Sequence, residues 1–120
     1  NIINNGFPTT EPVYKIDINV KITPKNKNIY EVSINLLANA ASDETKVYIL
    51  ELDYAGLFSF NIENETYLNE VLMVECPKIL FPFLRRIAAD ITRDGGYSPL
   101  SLQIIDFKKI FNDKNSSDNR

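Results

Sequence analysis

Asp90 and Asp94 stand four residues apart in a stretch of helical periodicity, which puts both carboxylates on one face, where they could share a proton or bind a cation. Arg86 and Arg93 lie beside them, and the same four residues equally describe an ion-paired, solvated helix edge. Cys76 directly precedes a helix start, a place where a thiol pKa can fall, yet its only basic neighbour in sequence is Lys78. A buried structural thiol fits the same residue. The chain has no His, which removes the Ser-His-Asp triad, the Cys-His dyad, His-ligated zinc and imidazole base catalysis. It also contains no Gly-rich phosphate loop, paired-cysteine metal spacing or EF-hand loop. Read from its residues, the chain is expected to be no enzyme and to use no cofactor or metal.

Composition narrows the class further. The 120 residues are 44% hydrophobic, with 13 Lys+Arg against 16 Asp+Glu, and suit one globular domain, since two would each be too small to bury a core. A net charge of -3 offers no basic footprint for nucleic acid, which is not expected as a partner. Apolar stretches fall far short of the ~20 residues a membrane-spanning helix needs, and the start lacks a signal-peptide pattern. Neither membrane insertion nor export is expected. One cysteine cannot form an internal disulfide, which suits a reducing cytoplasm. The sequence opens at Asn1 without Met, so residues are expected to be missing from the front.

The elements that must position any site follow from periodicity. Residues 1–12, with Gly6, Pro8 and Pro12, read as an irregular arm carrying Ile2, Ile3 and Phe7. Tyr14, Ile16, Ile18, Val20 and Ile22 alternate with polar residues, the period of a half-buried strand. A polar turn over Pro24–Asn28 leads to a second strand, Tyr30 to Ala40, and a turn over Ala41–Glu44 to a third, with Tyr48, Leu50, Leu52 and Tyr54 on one face. Ala55 and Gly56 predict a bend or bulge before Leu57, Phe58 and Phe60. Beyond Asn64 the period becomes helical. Tyr67, Leu68, Val71 and Leu72 predict a short helix ended by Pro77, and a longer helix runs from Pro77 to Gly95-Gly96, with Pro82 as its flaw. Tyr97–Ile105 reads as a loop, and Asp106 as the N-cap of a short last helix with Phe107, Ile110 and Phe111. The whole is an α+β fold, an antiparallel β-meander of three strands and a bent extension packed against a long helix, as a single domain over 13–111. Residues 112–120 are expected to be a disordered polar tail.

Two excesses of apolar surface remain. On the long helix, Ile79, Phe83, Ile87 and Ile91 with Leu80, Phe81, Leu84 and Ala88 spread over roughly 200°, wider than the ~100° stripe one core contact needs. Short helices of the same copy could cover the rest, but a helix held between its own sheet and another subunit is the favoured reading. The second excess is Phe7 on the arm, Leu100 to Ile105 on the loop, and Phe107 with Phe111 on the last helix. These residues either plug the open side of the sheet or wall a groove for extended apolar segments.

The run from Ala55 through Phe111 resembles the bacterial protein-export chaperone SecB family. Most specific is Cys76-Pro77-Lys78-Ile79-Leu80-Phe81-Pro82-Phe83, which looks like that family's Cys-Pro-x-Ile-Leu-Phe-Pro-Tyr/Phe segment, followed at family spacing by Arg85, Gly95 and Asp106-Phe107. Ala55-Gly56-Leu57-Phe58 is similar to the family's Gly-Gly-Ile-Phe, and the likeness covers roughly residues 11 to 111. The resemblance implies an ATP-independent holdase, cytoplasmic and bacterial, that keeps precursors unfolded and hands them to the translocation motor SecA. It implies a homotetramer, a dimer of dimers, with Leu50, Leu52 and Tyr54 on a face on which assembly depends, read as core or subunit contact, and Ile79, Phe83, Ile87 and Ile91 between sheets. Client-binding positions fall on Phe7, Tyr97, Leu100, Leu102, Ile104, Phe107, Ile110 and Phe111, and the motor contact on Ile49 and Glu51. The family's first strand is absent here, and the tail is less acidic than the family's. Competing readings are a related chaperone dedicated to one toxin–antitoxin client, an oligomeric adaptor without chaperone activity, and an enzyme using Asp90 and Asp94.

Overall fold

Alternation of apolar and polar side chains along the first half of the chain yields three long antiparallel strands. In the computed structural model, which describes residues 12–42 and 45–118, β1 (Val13–Asn26), β2 (Ile29–Ser42) and β3 (Thr45–Ser59) form one sheet in the order β1-β2-β3. Ile18 stands opposite Leu36, and Leu36 opposite Leu52, so the even-numbered positions of all three strands share one face. Val32, Ile34, Leu36 and Ala38 of the central strand are fully buried there. The odd-numbered face carries Lys21, Ser33, Asn35 and Asp53 and stays open to solvent, with Asn35 Nδ2 donating to Asp53 Oδ1 at 2.8 Å.

Two features of the sheet differ from the expected pattern. β1 continues through Pro24, and the turn expected over Pro24–Asn28 shrinks to Lys27 and Asn28, the latter at φ 65°. An edge strand tolerates this proline, and the pairing is irregular between Pro24 and Asn26. Of the bend or bulge predicted at Ala55-Gly56, the bulge is absent: pairing with β2 runs unbroken from Tyr48 to Ser59, with Gly56 opposite Val32, so the extension is part of β3 itself. Gly56 answers to packing instead: a Cβ there would lie 2.9 Å from Leu80 Cδ2.

The two helices expected on either side of Pro77 form one continuous run. α1 (Glu65–Glu70), capped by Asn64 Oδ1 accepting the Tyr67 N–H at 2.9 Å, leads into a π-helical stretch, Val71–Glu75, and then α2 (Cys76–Asp94). In the wider π turn the Cys76 N–H reaches Val71 O, and Pro77 enters α2 in its first turn. Pro82 sits inside α2 on the exposed side, where the carbonyl it strands meets water. Gly95 and Gly96 close the helix, Gly96 at φ 90°, with the Tyr97 N–H returning to Thr92 O at 3.0 Å.

The last helix, α3 (Phe107–Asp118), starts as expected, with Asp106 Oδ1 accepting the Lys109 N–H at 3.0 Å. It does not stop at Phe111. Residues 112–118 are helical where a disordered tail was expected, because a capped and docked first turn supplies the costly nucleus and each further residue adds one bond. The core lies between the even face of the sheet and Val71, Leu72, Val74, Leu80, Leu84 and Ala88 of the helical run, with Leu100, Leu102 and Phe107 closing it.

Candidate functional site

The loop after α2 is seated by one hydroxyl. Thr92 Oγ1 donates to Ala88 O at 2.9 Å within its own helix and accepts the Leu100 N–H at 2.9 Å, so the loop turns back onto the core at that residue. Leu100 is 2% exposed, Leu102 4% and Phe107 4%, whereas Ile104 is 83% exposed. Phe107 meets Phe81 edge to face at 5.7 Å. The expectation that Leu100, Leu102 and Phe107 stand available to a ligand is thereby corrected for this protomer: their alternation fills the core, and Ser101, Gln103 and Ile104 face outward.

The apolar surface that remains open is a groove between β1 and α3. Phe107, Ile110 and Phe111 of α3 face Ile18 and Val20 of β1 and Met73 of the π stretch, enclosing about 190 Å³. Phe107 forms the floor from inside the core, and Ile110 stands more than half exposed on the rim. A short ion pair, Lys108 Nζ to Glu70 Oε1 at 2.7 Å, ties α3 to α1. Ile18, Val20 and Met73 escaped the sequence reading because each looks like an ordinary core position. Among the described residues β1 is an edge strand, and periodicity does not report strand order. Tyr97 does not line this groove; its ring packs on Tyr48 at 4.8 Å and its hydroxyl donates to Val47 O at 3.3 Å, near the far end of the sheet. Phe7 lies outside the described residues.

Two further surfaces carry the remaining candidate residues. Ile79, Phe83, Ile87 and Ile91 recur every four residues along α2, and Ile79, Phe83 and Ile91 are each about half exposed. Tyr54 stacks on Phe83 at 6.0 Å beside them. Of the face expected as core or subunit contact, Leu50 belongs to the core of the protomer itself, and Leu52 and Tyr54 pack against that core. Ile49 and Glu51, one residue out of phase, project from the open side of β3.

The candidate chemistry dissolves into structure. Asp90 pairs with Arg93 at 2.9 Å and Arg86 at 4.0 Å, and Asp94 with Arg93 at 4.0 Å, all on the exposed edge of α2. Cys76 is fully buried, and burial, then the Glu75 charge, pushes its thiol up to about 11. At pH 8 iodoacetamide should therefore leave Cys76 unmodified over a period in which it alkylates the urea-unfolded chain; equal rates in the two states would show an accessible thiolate.

The fold and the sequence have relatives. The SecB-like chaperone Rv1957 of Mycobacterium tuberculosis, solved in complex with a ChAD peptide from the Rv1956 HigA1 antitoxin, matches with a TM-score of 0.68 at 19% identity, over 78% of this chain and 72% of that one. The protein-export protein SecB of Hyphomonas neptunium is 41% identical over 112 residues, covering 90% of this chain and 68% of that protein. The protein of the same name from Paramagnetospirillum magneticum is 44% identical over 100 residues, covering 83% and 64%. The chain thus spans about two thirds of the length of these curated relatives. The names they carry belong to protein export, not to an enzyme. The family described as Preprotein translocase subunit SecB matches across residues 3–118, and with strands, proline-bearing helix and last helix in the expected order, this chain belongs to the SecB family.

Proposed function

We propose that the chain is an ATP-independent holdase of protein export, which binds unfolded precursor segments in the groove between β1 and α3 and delivers them to the SecA motor. The observation that carries this reading is the groove itself: an apolar trough, open to solvent, on a chain of a family named for export. Covering apolar segments needs no nucleotide. Each buried side chain contributes about 1 to 3 kcal/mol, and several grooves on one assembly add through effective concentration. In this reading the bare stripe of α2 joins copies into a homotetramer, the open face around Ile49 and Glu51 receives the motor, and the particle works in the bacterial cytoplasm without catalysing a reaction. No helix among the described residues is long and apolar enough to cross a membrane. A second reading, a chaperone dedicated to one antitoxin client, is favoured by the antitoxin peptide bound to the M. tuberculosis fold neighbour.

The test uses a residue that is open rather than buried. The protein should suppress aggregation of a slow-folding precursor without ATP, and Ile110→Asp, on the rim of the groove, should strongly weaken suppression while the melting temperature stays within a few degrees. Full suppression by this variant would remove the groove from the function.

A further inference from the structure

Met73 is the single methionine of the 120 residues, and with Cys76 it accounts for all of their sulfur. The two sulfurs are placed oppositely. Cys76 is fully buried, and burial keeps its thiol protonated at neutral pH, whereas Met73 is partly exposed on the wall of the groove between β1 and α3. Met73 stands in the middle of the π-helical stretch Val71–Glu75, whose Val71, Leu72 and Val74 are buried in the core. Met73 itself is not among the core side chains. It shares the lining of the groove, about 190 Å³, with Ile18 and Val20 of β1 and Ile110 and Phe111 of α3. A thioether packs as its aliphatic neighbours do, but it alone among them takes up oxygen.

From this, and resting on the holdase reading above, we infer that Met73 is an oxidation site that gates the groove: its sulfoxide turns away the apolar segments that the thioether admits. The oxidant is a peroxide. The sulfur lone pair attacks one peroxide oxygen, the S–O bond forms as the O–O bond breaks, sulfur gives up two electrons, and the second peroxide oxygen leaves as water. A dithiol-dependent sulfoxide reductase reverses the step: two electrons come from the dithiol, which becomes a disulfide, and the oxygen departs as water. The sulfoxide oxygen is a strong hydrogen-bond acceptor. An apolar client side chain seated over it removes its water and offers no donor in return, so binding weakens. The protomer stays folded, because the core does not include this side chain.

The test treats the intact protein with hydrogen peroxide at neutral pH, follows Met73 by mass spectrometry of its peptides, and removes the peroxide with catalase. Calorimetry then measures binding of a synthetic peptide with a short apolar core and no Met or Cys. Met73 should oxidise while the protein is folded, more slowly when saturating peptide covers the groove, and Cys76 should stay reduced. The sulfoxide form should bind the peptide roughly five- to twentyfold more weakly at an unchanged melting temperature. Met73→Gln, polar and of similar length, should weaken binding without peroxide, and Met73→Leu should bind like the untreated protein before and after exposure. Resistance of Met73 in the folded state, full oxidation with unchanged affinity, an equal loss in treated Met73→Leu, or a loss accompanied by unfolding overturns the gate and leaves the holdase reading standing. Failure of the untreated protein to bind the peptide overturns the groove as a client site, and the gate with it.

Discussion

Leu102→Asp combined with Phe107→Asp should unfold the C-terminal third of the protein instead of merely emptying a binding surface. Both side chains are sealed in the core, Phe107 against Phe81 at 5.7 Å. Truncating a buried Phe costs about 3–5 kcal/mol and a buried Leu about 2–5 kcal/mol before any charge is considered. Burying an unpaired carboxylate adds more, so the double change is expected to exceed the ~5–15 kcal/mol that holds a domain together. Urea titration followed by circular dichroism should show a lost or strongly shifted transition. A midpoint equal to that of the unaltered protein would mean that loop and helix are not seated as described. Loss of chaperone activity in such a variant therefore says nothing about client contacts, and Ile110 on the groove rim is the position that does.

The second large effect concerns α2. Phe83→Glu with Ile91→Glu should reduce the particle to a smaller species at micromolar concentration, seen as a drop in mass by light scattering, while far-ultraviolet circular dichroism keeps its shape. Folding tolerates the change because both side chains are already about half exposed in the protomer. The proposed assembly does not, since each would lose about 1 kcal/mol or more of burial between copies and bring a charge that repeats in every copy. An unchanged mass would place the subunit contact elsewhere.

Much of this arrangement was legible because strands announce themselves with a period of two. Tyr14 to Ile22 and Tyr30 to Ala40 paired as their alternation predicts, and the overwide arc of α2 correctly flagged Ile79, Phe83 and Ile91 as side chains that one copy leaves half exposed. What failed did so where one local rule meets a tertiary one. Pro77 reads as a terminator, yet a π turn before it lets the helix pass. Gly56 reads as a bend, yet its missing side chain makes room for Leu80. Leu100 and Leu102 look like spare apolar surface until the Thr92 hydroxyl, a contact eight residues back that no periodicity encodes, draws the loop inward. The groove residues Ile18 and Val20 were identified as strand residues, but that β1 would be an edge depends on strand order, which pattern alone does not report.

Along β3, Leu50 and Leu52 look toward the helices while Ile49 and Glu51 look away, so neighbours in the chain serve opposite sides of a sheet one strand layer thick. Under the proposed function, cargo lodged beneath the helical side and a receiver resting on the bare side would not compete for room. Handover would then proceed through a three-body intermediate, in which the carrier is gripped from behind before it lets go in front.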